Sequence, residues 1–182
     1  MSRVEILDVE KILDEISPSK LDVSEAIISA AAKTSQSLPE HMKVLVADDS
    51  KVALKQVTKA LAAIGVDVIP ANDGKEALDI LRNLSLEGPV TDKIALVISD
   101  IEMPEMDGYT LCASIRQNPS LKNLYVILHT SLSGVFNQSM VKKAGANNFI
   151  PKFNPDELAT AVEQGILKVK DGVSGADCIM HK

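Results

Sequence analysis

Tryptophan is absent from this 182-residue chain, and Phe and Tyr bring the aromatic share to only 3%. A core must therefore be assembled from Val, Ile, Leu and Ala. Rings are too few for the stacking platforms that hold single-stranded nucleic acid. Basic charge is also short. With 19 basic and 25 acidic side chains the net charge is −6, which leaves no stripe to follow a phosphate backbone. No nucleic-acid partner is expected. Two cysteines, Cys112 and Cys178, are too few and too scattered for a disulfide framework or a zinc site. Nine glycines and eight prolines exclude collagen-like and Pro-rich chains. No apolar run approaches the roughly 18 residues of a membrane span, and no signal-type apolar stretch opens the chain. The expectation is a soluble, cytoplasmic protein without direct membrane insertion.

What the chain does have is 46% apolar and 24% charged residues in 19.5 kDa, enough for one ordinary domain and some additional chain. Charge divides it unevenly. Residues 1–42 hold 8 acidic and 4 basic side chains, whereas residues 43–182 hold 17 and 15. Val4 to Leu7 reads as a short strand, and Val9, Ile12, Leu13 and Ile16 follow at helical spacing until Ser17-Pro18. One strand and one helix cannot cover their own apolar faces. They read as the tail of a domain otherwise missing. Ser17 to Glu40 is rich in Ser and Ala and reads as a linker, with a helix expected near Ser24–Lys33.

From Met42 a repeating pattern begins. Short apolar runs at Val44–Val46, Val66–Ile69, Ile94–Ile98, Tyr125–Leu128 and Asn148–Ile150 predict five strands. Between and after them lie five helices. These carry Leu54, Val57, Leu61 and Ile64; Ala77, Leu78, Leu81 and Leu84; Leu111, Cys112 and Ile115; the stretch Val135–Ala144; and Leu158, Val162 and Ile166. The last helix opens with a cap, a first-turn proline and an acidic third position: Asn154, Pro155 and Glu157. Alternation of this kind predicts a doubly wound α/β domain, a parallel sheet with helices on both faces. Ligands then sit beyond the carboxyl ends of the strands. After Val169 no period is legible.

Those ends carry chemistry. The first closes on Asp48-Asp49, the third on Asp100, the fourth on His129-Thr130 and the fifth on Pro151-Lys152. Each has a plain alternative: an Asp pair is often a turn and helix cap, a loop Asp is often solvated, and so is a lone lysine. Their convergence on one sheet edge favours a shared site. Three carboxylates brought together repel by about 1–4 kcal/mol per pair at effective dielectrics of 20–80. A proton or a cation must offset that repulsion. Hard oxygen ligands without His or Cys favour Mg2+. With Lys152 as a cation and Thr130 as a hydrogen-bond donor, these are the parts that handle a phosphoryl group.

The stretches Val44-Leu45-Val46-Ala47-Asp48-Asp49-Ser50, Asn72-Asp73-Gly74-Lys75-Glu76-Ala77-Leu78, Asp100 to Gly108 and Ala144-Gly145-Ala146 resemble the receiver domain of two-component response regulators over about Met42 to Lys168. The resemblance implies a flavodoxin-like sheet of strand order 2-1-3-4-5. It implies Asp100 as phosphoacceptor from the phosphohistidine of a histidine kinase, with no turnover activity as an enzyme. Asp49, Asp100 and the Glu102 backbone carbonyl would bind Mg2+ directly, and Asp48 through water. Thr130 and Lys152 would contact the phosphoryl oxygens, and Thr130 with Phe149 would form a switch. Phe149 reads equally as a core side chain, and His129 as a buried strand residue. Glu102 and Leu132 occupy positions that border the path of the attacking water. Phe153 stands where the family commonly has proline.

Ile6 to Leu13 is similar to the closing strand and helix of a CheW-like coupling domain, and Leu128 to Gln138 also resembles CheV-type chemotaxis coupling proteins. This implies a coupling remnant at residues 1–17, a linker at 18–41, a receiver at 42–168 and a tail at 169–182. The partners implied are a chemotaxis-type histidine kinase and the chemoreceptor–kinase array. A receiver standing alone or serving another pathway is the alternative. Two further classes fit less well. A haloacid-type phosphatase wants its two aspartates separated by one residue, but Asp48 and Asp49 are adjacent. A flavin-binding phosphate loop would not begin Asp48-Asp49-Ser50-Lys51, since paired carboxylates repel a phosphate that comes without its metal.

Overall fold

The computed structural model describes residues 24–28, 42–130, 135–152, 154–172 and 174–178. Five strands form one parallel sheet: β1 (Lys43–Ala47), β2 (Val68–Ala71), β3 (Ile94–Asp100), β4 (Val126–Thr130) and β5 (Asn148–Pro151), in the order β2-β1-β3-β4-β5. Each strand leads into a helix: α1 (Lys51–Ala63), α2 (Gly74–Ser85), α3 (Gly108–Gln117), α4 (Val135–Ala144) and α5 (Pro155–Lys170). All seven residues of β3 are buried, as the middle of a sheet covered on both faces requires.

Alternation along the strands divides the interior. Val44, Val46, Ile98, Ile127 and Ile150 face α1 and α5. Leu45, Ala47, Val97, Val126 and Leu128 face α2, α3 and α4. Helix starts are set by short polar caps: Ser50, Asp73, Asp107 and Asn154 each accept a hydrogen bond from a backbone N–H three residues on.

Two strand positions differ from the sequence expectation. The second strand runs Val68–Ala71, not Val66–Ile69. Val66 is buried, but its N–H bonds back to Leu61 O at the end of α1, so it belongs to the turn. Pro70 is tolerated within β2 because β2 is an edge strand and one missing donor faces outward. The fourth strand begins at Val126 and continues through His129 and Thr130, whose polar side chains are buried. Within the tail lies a 3-10 turn at Gly175–Cys178, which no sequence period announced. Of the helix expected near Ser24–Lys33, residues 25–28 are described as helical; the strand and helix expected within residues 1–17 lie outside the described residues. Among the described residues no helix is long and apolar enough to cross a membrane.

Close loop packing holds the carboxyl edge of the sheet. A Cβ on Gly108 would lie 2.2 Å from Asp100 O, so only glycine lets α3 start against the end of β3. A Cβ on Gly74 would lie 2.4 Å from Met106 O, which pins the loop after β3 to the start of α2.

Candidate functional site

Parallel register brings the predicted residues together. Ala47 pairs with Ser99, and Asp100 pairs with His129. The ends of β1, β3 and β4 thus lie side by side, and Thr130 pairs with Pro151, the residue before Lys152. Asp48, Asp49 and Asp100 each place a carboxylate oxygen within 4.8 Å of the other two. Asp48 and Asp100 are buried and Asp49 is exposed. The Asp-Asp pair therefore does more than cap a helix; Ser50 caps α1.

Lys152 completes the cluster. Its Nζ stands 3.0 Å from Asp48 Oδ2 and 3.2 Å from Asp100 Oδ2, and its side chain is only 10% exposed. It is not a solvated surface lysine. Burial by itself would lower its pKa, but the hydrogen bond and charge of Asp48 and the charge of Asp100 outweigh burial and hold it above the ordinary value. Burial and then the Asp48 charge push the Asp100 carboxyl up to about 6, against the opposing pull of Lys152. At neutral pH Asp100 is still mostly an anion, and an unusually basic one. That combination suits an oxygen nucleophile.

Two backbone features steady the carboxylates. The Ser50 N–H donates to Asp48 Oδ1 at 2.9 Å, and the Ile101 N–H donates to the Asp100 carboxylate. Sequence reading missed the first role, because Ser50 carries a separate signal as a helix cap. Asp48 Oδ2 is wholly buried, with the Lys152 ammonium 3.0 Å away as its charged partner. A cluster of three acids beside one ammonium keeps an excess of negative charge, which fits a hard divalent cation better than a purely structural ion pair. No His or Cys belongs to the cluster. Glu102 is exposed at the loop after β3 and its carboxylate lies outside the three-acid group.

The other expected residues lie close by. Thr130 is buried at the end of β4. Phe149 is half-buried, packed against the layer of α2, α3 and α4. His129 is buried on the opposite face, beside a narrow cavity lined also by Val57, Lys152 and Leu158. Burial, then the Lys152 charge, depress its pKa to about 4, so at neutral pH it is an uncharged strand side chain. Leu132 and Phe153 lie outside the described residues.

Residues 44–163 match the response regulator receiver domain model. The chain belongs to that family. It is also similar to chemotaxis protein CheV1 of Helicobacter pylori, 32% identical over 163 residues, which cover 88% of this chain and 48% of that protein. The chain spans about half the length of the CheV relatives it matches. Among solved structures, the receiver domain of a signal transduction histidine kinase from Syntrophus aciditrophicus superposes with a TM-score of 0.60 at 34% identity, over 70% of this chain and 92% of that one. Chemotaxis protein CheY4 of Vibrio cholerae gives 0.55 at 27% identity, over 72% and 98%. The strand order β2-β1-β3-β4-β5 and the acidic strand ends thus belong to a receiver domain that is similar to CheV and CheY proteins.

Proposed function

We propose that this receiver is phosphorylated on Asp100 by a chemotaxis-type histidine kinase and thereby modulates coupling between chemoreceptors and their kinase. It does so without turning over a substrate. The observation that carries the reading is the Lys152 bridge: a buried ammonium stands between Asp48 and Asp100, where transferred phosphoryl oxygens need a cation. An Asp100 carboxylate oxygen attacks the phosphorus of a phosphohistidine. The P–N bond breaks, the imidazole leaves with its electron pair, and an acyl phosphate forms on Asp100.

Asp48, Asp49, Asp100 and the Glu102 carbonyl are the residues to hold Mg2+, which would neutralise charge on the phosphoryl oxygens. Lys152 releases Asp100 and follows the new phosphoryl group, and the Thr130 hydroxyl donates to it. The shift of Thr130 opens space that Phe149 fills, repacking the face made by β4, β5, α4 and α5. The CheV-type similarity, and the reading of residues 1–17 as a coupling remnant, favour the receptor–kinase array over other outputs.

Acetyl phosphate with Mg2+ tests the core of this reading. Mass spectrometry is expected to show one added phosphoryl that vanishes in Asp100→Asn; an adduct that survives the substitution defeats the assignment. Thr130→Ala is expected to keep the adduct but lose the NMR shifts it causes on the β4–β5 face.

A further inference from the structure

Segment 24–28 lies outside the repeating α/β pattern yet touches the domain. Residues 25–28 are helical, with the Ile27 and Ile28 N–H groups donating to Ser24 O. Two kinds of contact tie them to the domain. Ile27 and Ile28 pack against the core layer shared by α1 and α5. The Ser24 N–H donates to Asp156 Oδ1 at 2.7 Å, tying the turn to the first turn of α5.

The contact falls at a mechanically informative place. Ile27 lines a shallow groove of about 280 Å3 with Asn148, Ile150, Thr160, Ala161 and Gln164. Asn148 and Ile150 flank Phe149 in β5, so they lie on the face of the strand opposite to it. His129 and Thr130 pair directly with Ile150 and Pro151. Asp156 lies four residues after Lys152, just inside the helix that begins at Pro155. A displacement of Thr130, Phe149 or Lys152 therefore reaches both anchors of the turn through β5 and the start of α5. Among the described residues the hold consists of two half-buried isoleucines and one exposed hydrogen bond, and contacts of that kind can be undone by a small shift.

We propose that residues 24–28 are a strap, docked on the β5–α5 edge while Asp100 is unmodified and released when Asp100 carries a phosphoryl group. The trigger rests on the proposed function; the docking does not. Release would free the chain upstream of the receiver from that edge, converting a chemical event at one end of β3 into a change of tether. The strap and the phosphoryl site are then linked by a coupling free energy, each biasing the other.

The experiment uses the whole chain in two arms. Without phosphoryl donor, Ile27→Ser with Ile28→Ser is expected to shift the amide resonances of Asn148, Thr160 and Gln164, leave those of β3 in place, and speed hydrogen exchange at Ser24. Unmoved α5 resonances would overturn the docking. Wild-type α5 resonances that move with protein concentration would assign the groove to a second copy and also overturn it. With acetyl phosphate and Mg2+, exchange at the Ser24, Ile27 and Ile28 amides is expected to rise by at least about fivefold, the low end of coupling between sites. An Asp100 adduct confirmed by mass with unchanged exchange overturns the release alone. Absence of any adduct overturns the trigger together with the proposed function.

Discussion

Two clusters of buried polar groups sit at opposite ends of the same sheet, and they are built differently. At the amino-terminal pole Arg116 donates to the carbonyls of Gly145, Lys122 and Leu124 and to Asn147 Oδ1. Asn147 in turn accepts the Val126 N–H at 2.7 Å and donates to Gly175 O at 2.6 Å. These bonds fasten the α3 end, the starts of β4 and β5, and the tail turn into one knot. Gly175 fits there because a Cβ would lie 1.8 Å from Leu124 O. At the carboxyl pole three acids cluster, and two of them, Asp48 and Asp100, share the Lys152 ammonium. The first cluster is complete within the fold and stabilises it. The second is left short of positive charge and gains by binding something.

Substitution should separate the two poles most sharply. Asn147→Leu strands the Val126 N–H, the Gly175 carbonyl and one arm of Arg116 in the interior, and is expected to cost about 3–4 kcal/mol in urea unfolding. Asp100→Asn keeps the shape and removes a repelled charge, and is expected to stabilise the metal-free protein on the order of 1 kcal/mol. Equal signs for the two would erase the distinction. Cation binding is the next test. Mg2+ at a hundredfold excess over its Kd is expected to add about 2.7 kcal/mol of stability, read as a rise in Tm. Asp49→Ala should abolish that rise and Asp48→Ala should reduce it, whereas no substitution at the Arg116 knot should touch it.

Acidification gives a smaller, two-sided effect. Asp100 has a folded pKa of about 6 against 3.8, so the native chain keeps a proton that the unfolded chain releases; its contribution to stability falls as pH rises between those values. His129 has a folded pKa of about 4 against 6.5, so the unfolded chain takes up its proton first; stability is lost as pH falls from 6.5 toward 4. The two oppose one another over most of that range. Metal-free Asp100→Asn should therefore lose Tm more steeply than wild type between pH 7 and 5, and His129→Leu less steeply. Parallel curves for all three would show that neither group is shifted. The smallest expected change concerns the lifetime of the phosphorylated state. Glu102→Asn with Leu132→Glu should shorten it several-fold, a barrier change on the order of 1 kcal/mol. An unchanged or longer lifetime after donor removal would show that these positions do not set the rate of hydrolysis.

Local pattern determined much of this protein. Apolar runs such as Ile94–Ile98 read as strands buried on both faces, and Asn154-Pro155 with Glu157 reads as a helix start, because both signals depend on neighbours a few residues away. Strand ends follow from the runs, and Asp48, Asp100 and Lys152 meet at the edge where the pattern places those ends. What the sequence could not decide was which polar group finds which partner. Pro70 lies beyond the strand expected at Val66–Ile69, yet it falls within the edge strand Val68–Ala71, where it is harmless. Asn147 carries no signal in the local pattern, yet it bonds Arg116, Val126 and Gly175 across separations of 21 to 31 residues. Ile27 and Ile28 read as linker, yet they cover part of the α5 face. Such pairings are set by the twist and packing of the assembled sheet, which bring distant residues within bonding distance only once the whole domain has closed around β3.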